Sequence, residues 1–246
     1  MNASEPRLRF DGVTRRFGGA LAVDDVRASI APGEIYGLIG PNGSGKTTLV
    51  NLVSGLLAID RGRILLDGRP VGHRRPHEMA SLGVVRTFQM PRSFGSLSVL
   101  DNLLVPLAAD HRPESLGGAR QRANEALAWT GLDRLADAPA ATLSGGQTML
   151  LQFARALMHE PVRLLLLDEP FAGVAPAIKE RMIQTILRLN RERGAATILV
   201  SHELAMVRQL CTRVGVMNAG RLIAEGPLAE VAERREVIDA YLGKPI

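Results

Sequence analysis

The chain has 246 residues, 46% of them hydrophobic, with 30 Lys and Arg against 25 Asp and Glu and a formal net charge of +5. This length suits one large domain or a core with a small second one, and so slight a positive excess is no argument for nucleic acid as a partner. A single cysteine, Cys211, excludes an intrachain disulfide framework and a thiolate metal cluster and points to a reducing compartment.

The first residues, "MNASEPRLRF", carry charge without the apolar core of a secretory signal, and no run approaches 18 apolar residues. The chain is expected neither to span a bilayer nor to be exported, which leaves it free to sit against a membrane protein. "RLRFDGV" and "AVDDVRASI" alternate as strands do, and a turn at "APG" leads into the apolar run "EIYGLIG". "KTTLVNLVSG" has helical spacing and stops at Gly55, "GRILLDG" reads as a strand, and "HRRPHE" reads as a surface loop. From about 94 to 158 the pattern changes. "DHRPES" is loop-like, "ARQRANEALAWTGL" is helical and no strong β-run occurs, so a small helical subdomain over 94–158 is expected to interrupt a core made of 1–93 and 159–246. "VRLLLLDEP", "ATILVSHE" and "RVGVMNAGRLIAEG" are strands, with helices near 176–192 and 203–210. Buried apolar strands alternating with helices predict an α/β fold with a mostly parallel sheet, flanked by antiparallel strands from the N-terminal part.

"GPNGSGKTT" comprises Gly40, Pro41, Asn42, Gly43, Ser44, Gly45, Lys46, Thr47 and Thr48, and it lies between a strand and a helix. In that setting glycines let successive N–H groups converge on a β-phosphate, and the helix beginning near Gly45 adds its positive end. Lys46 can reach the β- and γ-phosphates, and the Thr47 hydroxyl can ligate Mg²⁺. "LLLLDEP" places Asp168 at the carboxyl end of a strand, where such sheets bind ligands and where an Asp can hold Mg²⁺ through water. Glu169, next to it, is placed to polarise an attacking water or accept its proton. Taken singly, two acids at a strand end are also simply solvated. Small-molecule kinases share the glycine loop, so these two elements establish nucleotide use in a P-loop NTPase core and leave the output open.

A second glycine turn, "LSGGQTMLLQFARAL", residues 143 to 157, precedes a helix. Together with Gln89 after a strand and His202 in "VSHE", it makes the motif set resemble the ATP-binding subunits of ABC transporters over practically the whole chain. The resemblance implies a head-to-tail pair of such subunits. Ser144, Gly145, Gly146 and Gln147, with the helix from about Gln147, would then close over ATP held by the other subunit's Gly40–Thr48 loop. It further implies that Phe17 stacks on adenine, although by itself Phe17 reads as a core or turn aromatic. Gln89 would contribute to Mg²⁺ or the attacking water, and His202 would contact the γ-phosphate. The implied partners are a second ABC ATPase, identical or not, transmembrane permease subunits and, indirectly, a solute-binding protein. The place implied is the cytoplasmic face of the membrane. Met90, Phe94 and Leu97, in "FQMPRSFGSLSVLDNLLV", are candidates for the permease contact or for subdomain core.

Two positions depart from the family pattern: Ala175 stands where many members have Asp, and Thr148 follows Gln147. Neither removes a phosphate or Mg²⁺ ligand. "RFGGALAVDDV", "GVVRTFQ" and "VIDAYLG" resemble the ATPases of branched-chain amino acid importers and their urea and amide relatives. A lipid or lipopolysaccharide exporter ATPase is the alternative with the same chemistry. Two-cassette ATPases of translation or DNA repair do not fit in 246 residues, and a purely regulatory ATP-binding module would lack Glu169.

Overall fold

The computed structural model describes residues 5–87, 93–108 and 115–242. Strand β1 (Leu8–Phe17) runs antiparallel to β2 (Ala20–Ile30), burying Leu8, Phe10 and Val13 against Val23, Val26 and Ile30. Their alternation of buried and exposed positions is that of a sheet with one wet face. Strand β3 (Ile35–Ile39) is buried throughout, and the glycine loop carries it into helix α1 (Lys46–Val53). Strands β4 (Arg61–Leu66) and β5 (Arg69–Pro70) complete an antiparallel sheet in the order β2-β1-β4-β5.

Helix α2 (Pro76–Ser81) corrects the reading of "HRRPHE" as loop, since its second half is helical. Pro76 occupies the first turn, where a missing N–H costs nothing, and the Glu78 carboxylate accepts a hydrogen bond from the Arg75 backbone N–H at 2.8 Å. That bond and the Arg74 guanidinium pull the Glu78 carboxyl down to about 2. Strand β6 (Val84–Thr87) follows. "DHRPES" lies outside the described residues except for Ser115, which caps the helix after it.

Helices α3 (Val99–Ala108), α4 (Leu116–Thr130) and α5 (Gly145–Leu157) come next, with 3₁₀ turns at Asp133–Leu135 and Ala140–Thr142. The chain then returns to the sheet as β7 (Leu164–Asp168), α6 (Pro176–Arg193), β8 (Ala196–Val200), α7 (Leu204–Leu210), β9 (Arg213–Asn218) and β10 (Arg221–Gly226). Helices α8 (Leu228–Ala232) and α9 (Arg235–Tyr241) end the described chain. The second sheet has the order β10-β9-β3-β8-β7-β6; only β10 is antiparallel to its neighbour. The fold is thus α/β, with a mostly parallel sheet, a separate antiparallel sheet and helices inserted between β6 and β7.

The leucine run of β7 shows why such a strand is apolar on both faces. Leu165 and Leu167 join a core with α4, α5 and α6, while Leu164 and Leu166 join one with α1 and the antiparallel sheet. A polar knot ties β3 to the β9–β10 edge. The Tyr36 ring is buried, and its hydroxyl donates to Glu225 Oε1 at 2.7 Å. Arg213 bridges Glu34 at 2.9 Å and Glu225 at 3.1 Å. Burial and the Glu225 charge both push the Tyr36 phenol well above its ordinary value. Glu225→Ala leaves that buried hydroxyl without its acceptor, so urea unfolding should report a loss of about 1–3 kcal/mol. Adding Tyr36→Phe to Glu225→Ala should recover part of that loss; full additivity of the two substitutions would refute the coupling.

Candidate functional site

The carboxyl ends of β3, β7 and β8 converge on one cleft of about 320 Å³. It is lined by Asn42, Gly43, Gly45, Lys46, Thr47 and Thr48 from the loop, by Asp168 and Glu169, by Val200 and His202, and by Ala22 of β2. The loop fits there because two glycines have no side chain. At Gly40, φ is +143°, and a Cβ would stand 2.1 Å from the Met217 carbonyl oxygen. At Gly45, φ is +103°, and a Cβ would stand 2.3 Å from the Ala22 carbonyl oxygen. Any other residue would clash with backbone on both sides, and L residues avoid these angles. Pro41 closes the loop by accepting the Ser44 N–H at 3.2 Å, and Ser44 is itself buried.

Lys46 lies folded along this loop, its Nζ donating to the carbonyls of Gly40 at 2.9 Å and Pro41 at 2.8 Å and to Ser44 Oγ at 3.3 Å. Burial lowers its pKa, and the nearby carboxylates of Glu169 and Asp168 oppose that shift. An ammonium held only by neutral oxygens is poised to exchange them for an anion, which would bind it more strongly.

Glu169 adopts φ +50°, which is uncommon for a residue with a side chain, and its N–H donates to the Val200 carbonyl at 2.9 Å. The turn carries its carboxylate to His202, whose Nδ1 lies 2.7 Å from Glu169 Oε1. Burial raises the Glu169 pKa, more than His202 restrains it, and the Asp168 charge adds to the rise. A carboxyl moved toward neutrality while still ionisable suits a proton acceptor.

Asp168 is 7% exposed, and its Oδ2 takes Nη2 of Arg86 at 3.1 Å. Arg86 belongs to "GVVRTFQ", where reading the sequence gave it no role. The available signal was a guanidinium directly after two valines in a short strand, which needs a carboxylate to be buried. Thr47 and Asp168 provide the hydroxyl and carboxylate oxygens of the cleft wall, the ligand type that hard divalent cations take.

The remaining expected residues lie elsewhere or beyond description. Phe17, at the end of β1, is 46% exposed and does not line the cleft; it faces the Arg15 guanidinium at 5.1 Å. Gln89 and Met90 lie outside the described residues. Phe94 is exposed and Leu97 half-buried. Ser144, Gly145, Gly146 and Gln147 also do not line the cleft. They form the start of α5, which begins at Gly145 rather than near Gln147. The reason is a reciprocal cap: Ser144 Oγ accepts the Gln147 N–H at 3.3 Å, and Gln147 Oε1 accepts the Ser144 N–H at 2.9 Å. Gly146 packs against Ile178 of α6, whereas Gly145 faces open space. Thr148 turns its hydroxyl back to the Ser144 carbonyl at 3.0 Å, and Ala175 precedes the first residue of α6 without a side-chain cap.

Comparison with known proteins agrees with this geometry. The profile of the ABC transporter family matches residues 23–172, and that of the branched-chain amino acid ATP-binding cassette transporter matches residues 221–245. The chain is 36% identical to a probable branched-chain amino acid transport ATP-binding protein, LivG, of Archaeoglobus fulgidus, over 96% of this chain and 95% of the relative. An ATP-binding cassette of an ABC transporter, solved in its ADP conformation, superposes with a TM-score of 0.86 at 32% identity, covering 97% of this chain and 99% of that one. A cassette solved as a dimer in a post-hydrolysis state with ADP and Pi gives a TM-score of 0.78 at 27% identity, over 90% and 98%. The chain therefore belongs to the ABC transporter family, as one of its ATP-binding ATPase subunits.

Proposed function

We propose that this ATPase works as a head-to-tail pair docked on transmembrane permease subunits at the cytoplasmic face of the membrane, and that the transporter it drives imports branched-chain amino acids. The observation that carries the pairing is the separation within one chain. The loop, Asp168, Glu169 and His202 share a cleft, while the capped helix start at Ser144 lies outside it with Gly145 facing open space. A second chain can bring its Ser144–Gly146 turn over a γ-phosphate in this cleft, adding backbone N–H groups and the positive end of α5. The branched-chain assignment rests on the C-terminal profile over 221–245 and on the name of the Archaeoglobus relative.

In this reading Lys46 leaves the Gly40 and Pro41 carbonyls for the β- and γ-phosphate oxygens. Among the described residues no group of three or more His, Cys, Asp or Glu could hold a metal ion. Thr47 and Asp168, a hydroxyl and a carboxylate lining the same cleft, would hold the Mg²⁺ that accompanies the nucleotide, since oxygen donors are what that cation takes. Bound there, Mg²⁺ would neutralise charge on the phosphate oxygens. Glu169 orients a water in line with the γ-phosphorus and takes its proton as the new P–O bond forms and the bond to ADP breaks. His202 holds Glu169 through Nδ1 and faces the phosphate being released, and Gln89 serves the same water or the cation. Phe17 offers a ring face for adenine. Phe94 and Leu97, with Met90, belong to the permease contact. A solute-binding protein would deliver the cargo on the far side.

The raised Glu169 pKa fixes the sign of a pH effect. The base is lost when protonated, so kcat should fall on acidification through an apparent pKa above the ordinary 4.5. Because His202 holds that pKa down, His202→Ala should move the limb to higher pH as well as lower the plateau. Glu169→Gln should remove the limb together with a factor of about 10²–10⁴ in kcat. An acid limb that survives Glu169→Gln assigns the base elsewhere. For transport, the chain co-purified with its permease subunits and placed in proteoliposomes with ATP should accumulate labelled leucine. Uptake of urea or an amide without leucine would overturn the substrate assignment, and outward movement of lipid would favour the exporter.

A further inference from the structure

The two oxygen ligands proposed for Mg²⁺ come from different elements, Thr47 from α1 and Asp168 from β7. Something must fix the distance between them. Along α1, Asn51 lies one turn beyond Thr47 and Ser54 a turn further, so all three share a helix face. Arg86 of β6 reaches both elements at once: Nη1 donates to Asn51 Oδ1 at 2.5 Å and to Ser54 Oγ at 3.2 Å, and Nη2 donates to Asp168 Oδ2 at 3.1 Å. The side chains of Arg86 and Asp168 are 11% and 9% exposed, so solvent does little to screen or loosen the pair.

We propose that Arg86 is a positioning residue for the cation that accompanies ATP, cross-linking the helix that carries Thr47 to the strand that carries Asp168. This rests on the assignment of Thr47 and Asp168 as its ligands. The planar fork is what makes the link. One nitrogen serves α1 while the other serves β7, a geometry that a single ammonium cannot reproduce. Partners that orient a ligating carboxylate from behind set metal affinity, and their loss typically costs about 10–100-fold.

The test reads nucleotide binding. The affinity of a fluorescent ATP analogue is measured in Mg²⁺ and in EDTA, and the ratio of the two reports how well the site holds the cation. Arg86→Lys keeps the charge but loses the fork, and it should lower that ratio about tenfold. A general loosening of the loop would weaken both affinities together and leave the ratio unchanged. Should Arg86→Lys fail to fold, Asn51→Ala removes the shorter of the two α1 anchors, leaving Ser54 Oγ, without altering any charge and should lower the ratio in the same direction. A folded variant with the wild-type ratio overturns the inference. Asp168→Asn separates it from the reading beneath it. If Asp168→Asn collapses the ratio while Arg86→Lys does not, only the role of Arg86 fails. If Asp168→Asn keeps the wild-type ratio, the ligand assignment falls and this inference with it.

Discussion

Everything at this site depends on one stretch of backbone passing where side chains cannot go. Between Gly40 and Gly45 the chain runs against the Met217 carbonyl on one side and the Ala22 carbonyl on the other, at 2.1 and 2.3 Å from where a Cβ would stand. This wedge ties the loop to both sheets, because Met217 belongs to β9 and Ala22 to β2. It also gives α1 its start directly below the cleft, so that Lys46 and Thr47 enter the site from the first turn. The helix dipole, the ammonium and the hydroxyl are all delivered by the same constraint.

The opposite wall is set by the end of β7. Its four leucines lock the strand between two cores, and the first residue free of both is Asp168. The positive φ of Glu169 then turns the chain so that adjacent acids take different partners, Arg86 for Asp168 and His202 for Glu169. Neighbouring carboxylates in a half-buried cleft would otherwise repel each other. Their separate partners give them separate tasks, one suited to holding a cation and the other to taking a proton.

What could be read from the sequence divides along physical lines. Local chemistry was legible: glycine spacing marks Gly40–Thr48, an unbroken apolar run marks β7, and a turn before helical spacing marks α5. Features made by distant or unusual contacts were not. Arg86 and Asp168 stand 82 residues apart, so their ion pair has no local signature. Helix α2 hides in a charged, Pro-containing stretch because Glu78 caps it through the backbone of Arg75. The start of α5 at Gly145 depends on the Ser144–Gln147 cap, which outweighs the poor helix propensity of two glycines. The contact of Phe17 with Arg15 is local, since residues two apart on β1 share a face, but its position away from the cleft wall is set by how β1 sits in its sheet.

The central claim is that one chain carries two halves of different sites. Sedimentation velocity of the Glu169→Gln chain with ATP tests it most directly, because that variant should bind ATP without consuming it. ATP should convert monomer to dimer, and adding Ser144→Arg, which places a bulky charge where the partner's γ-phosphate would lie, should leave the chain monomeric though still nucleotide-bound. An ATP-dependent dimer that forms equally well with Ser144→Arg would contradict the account.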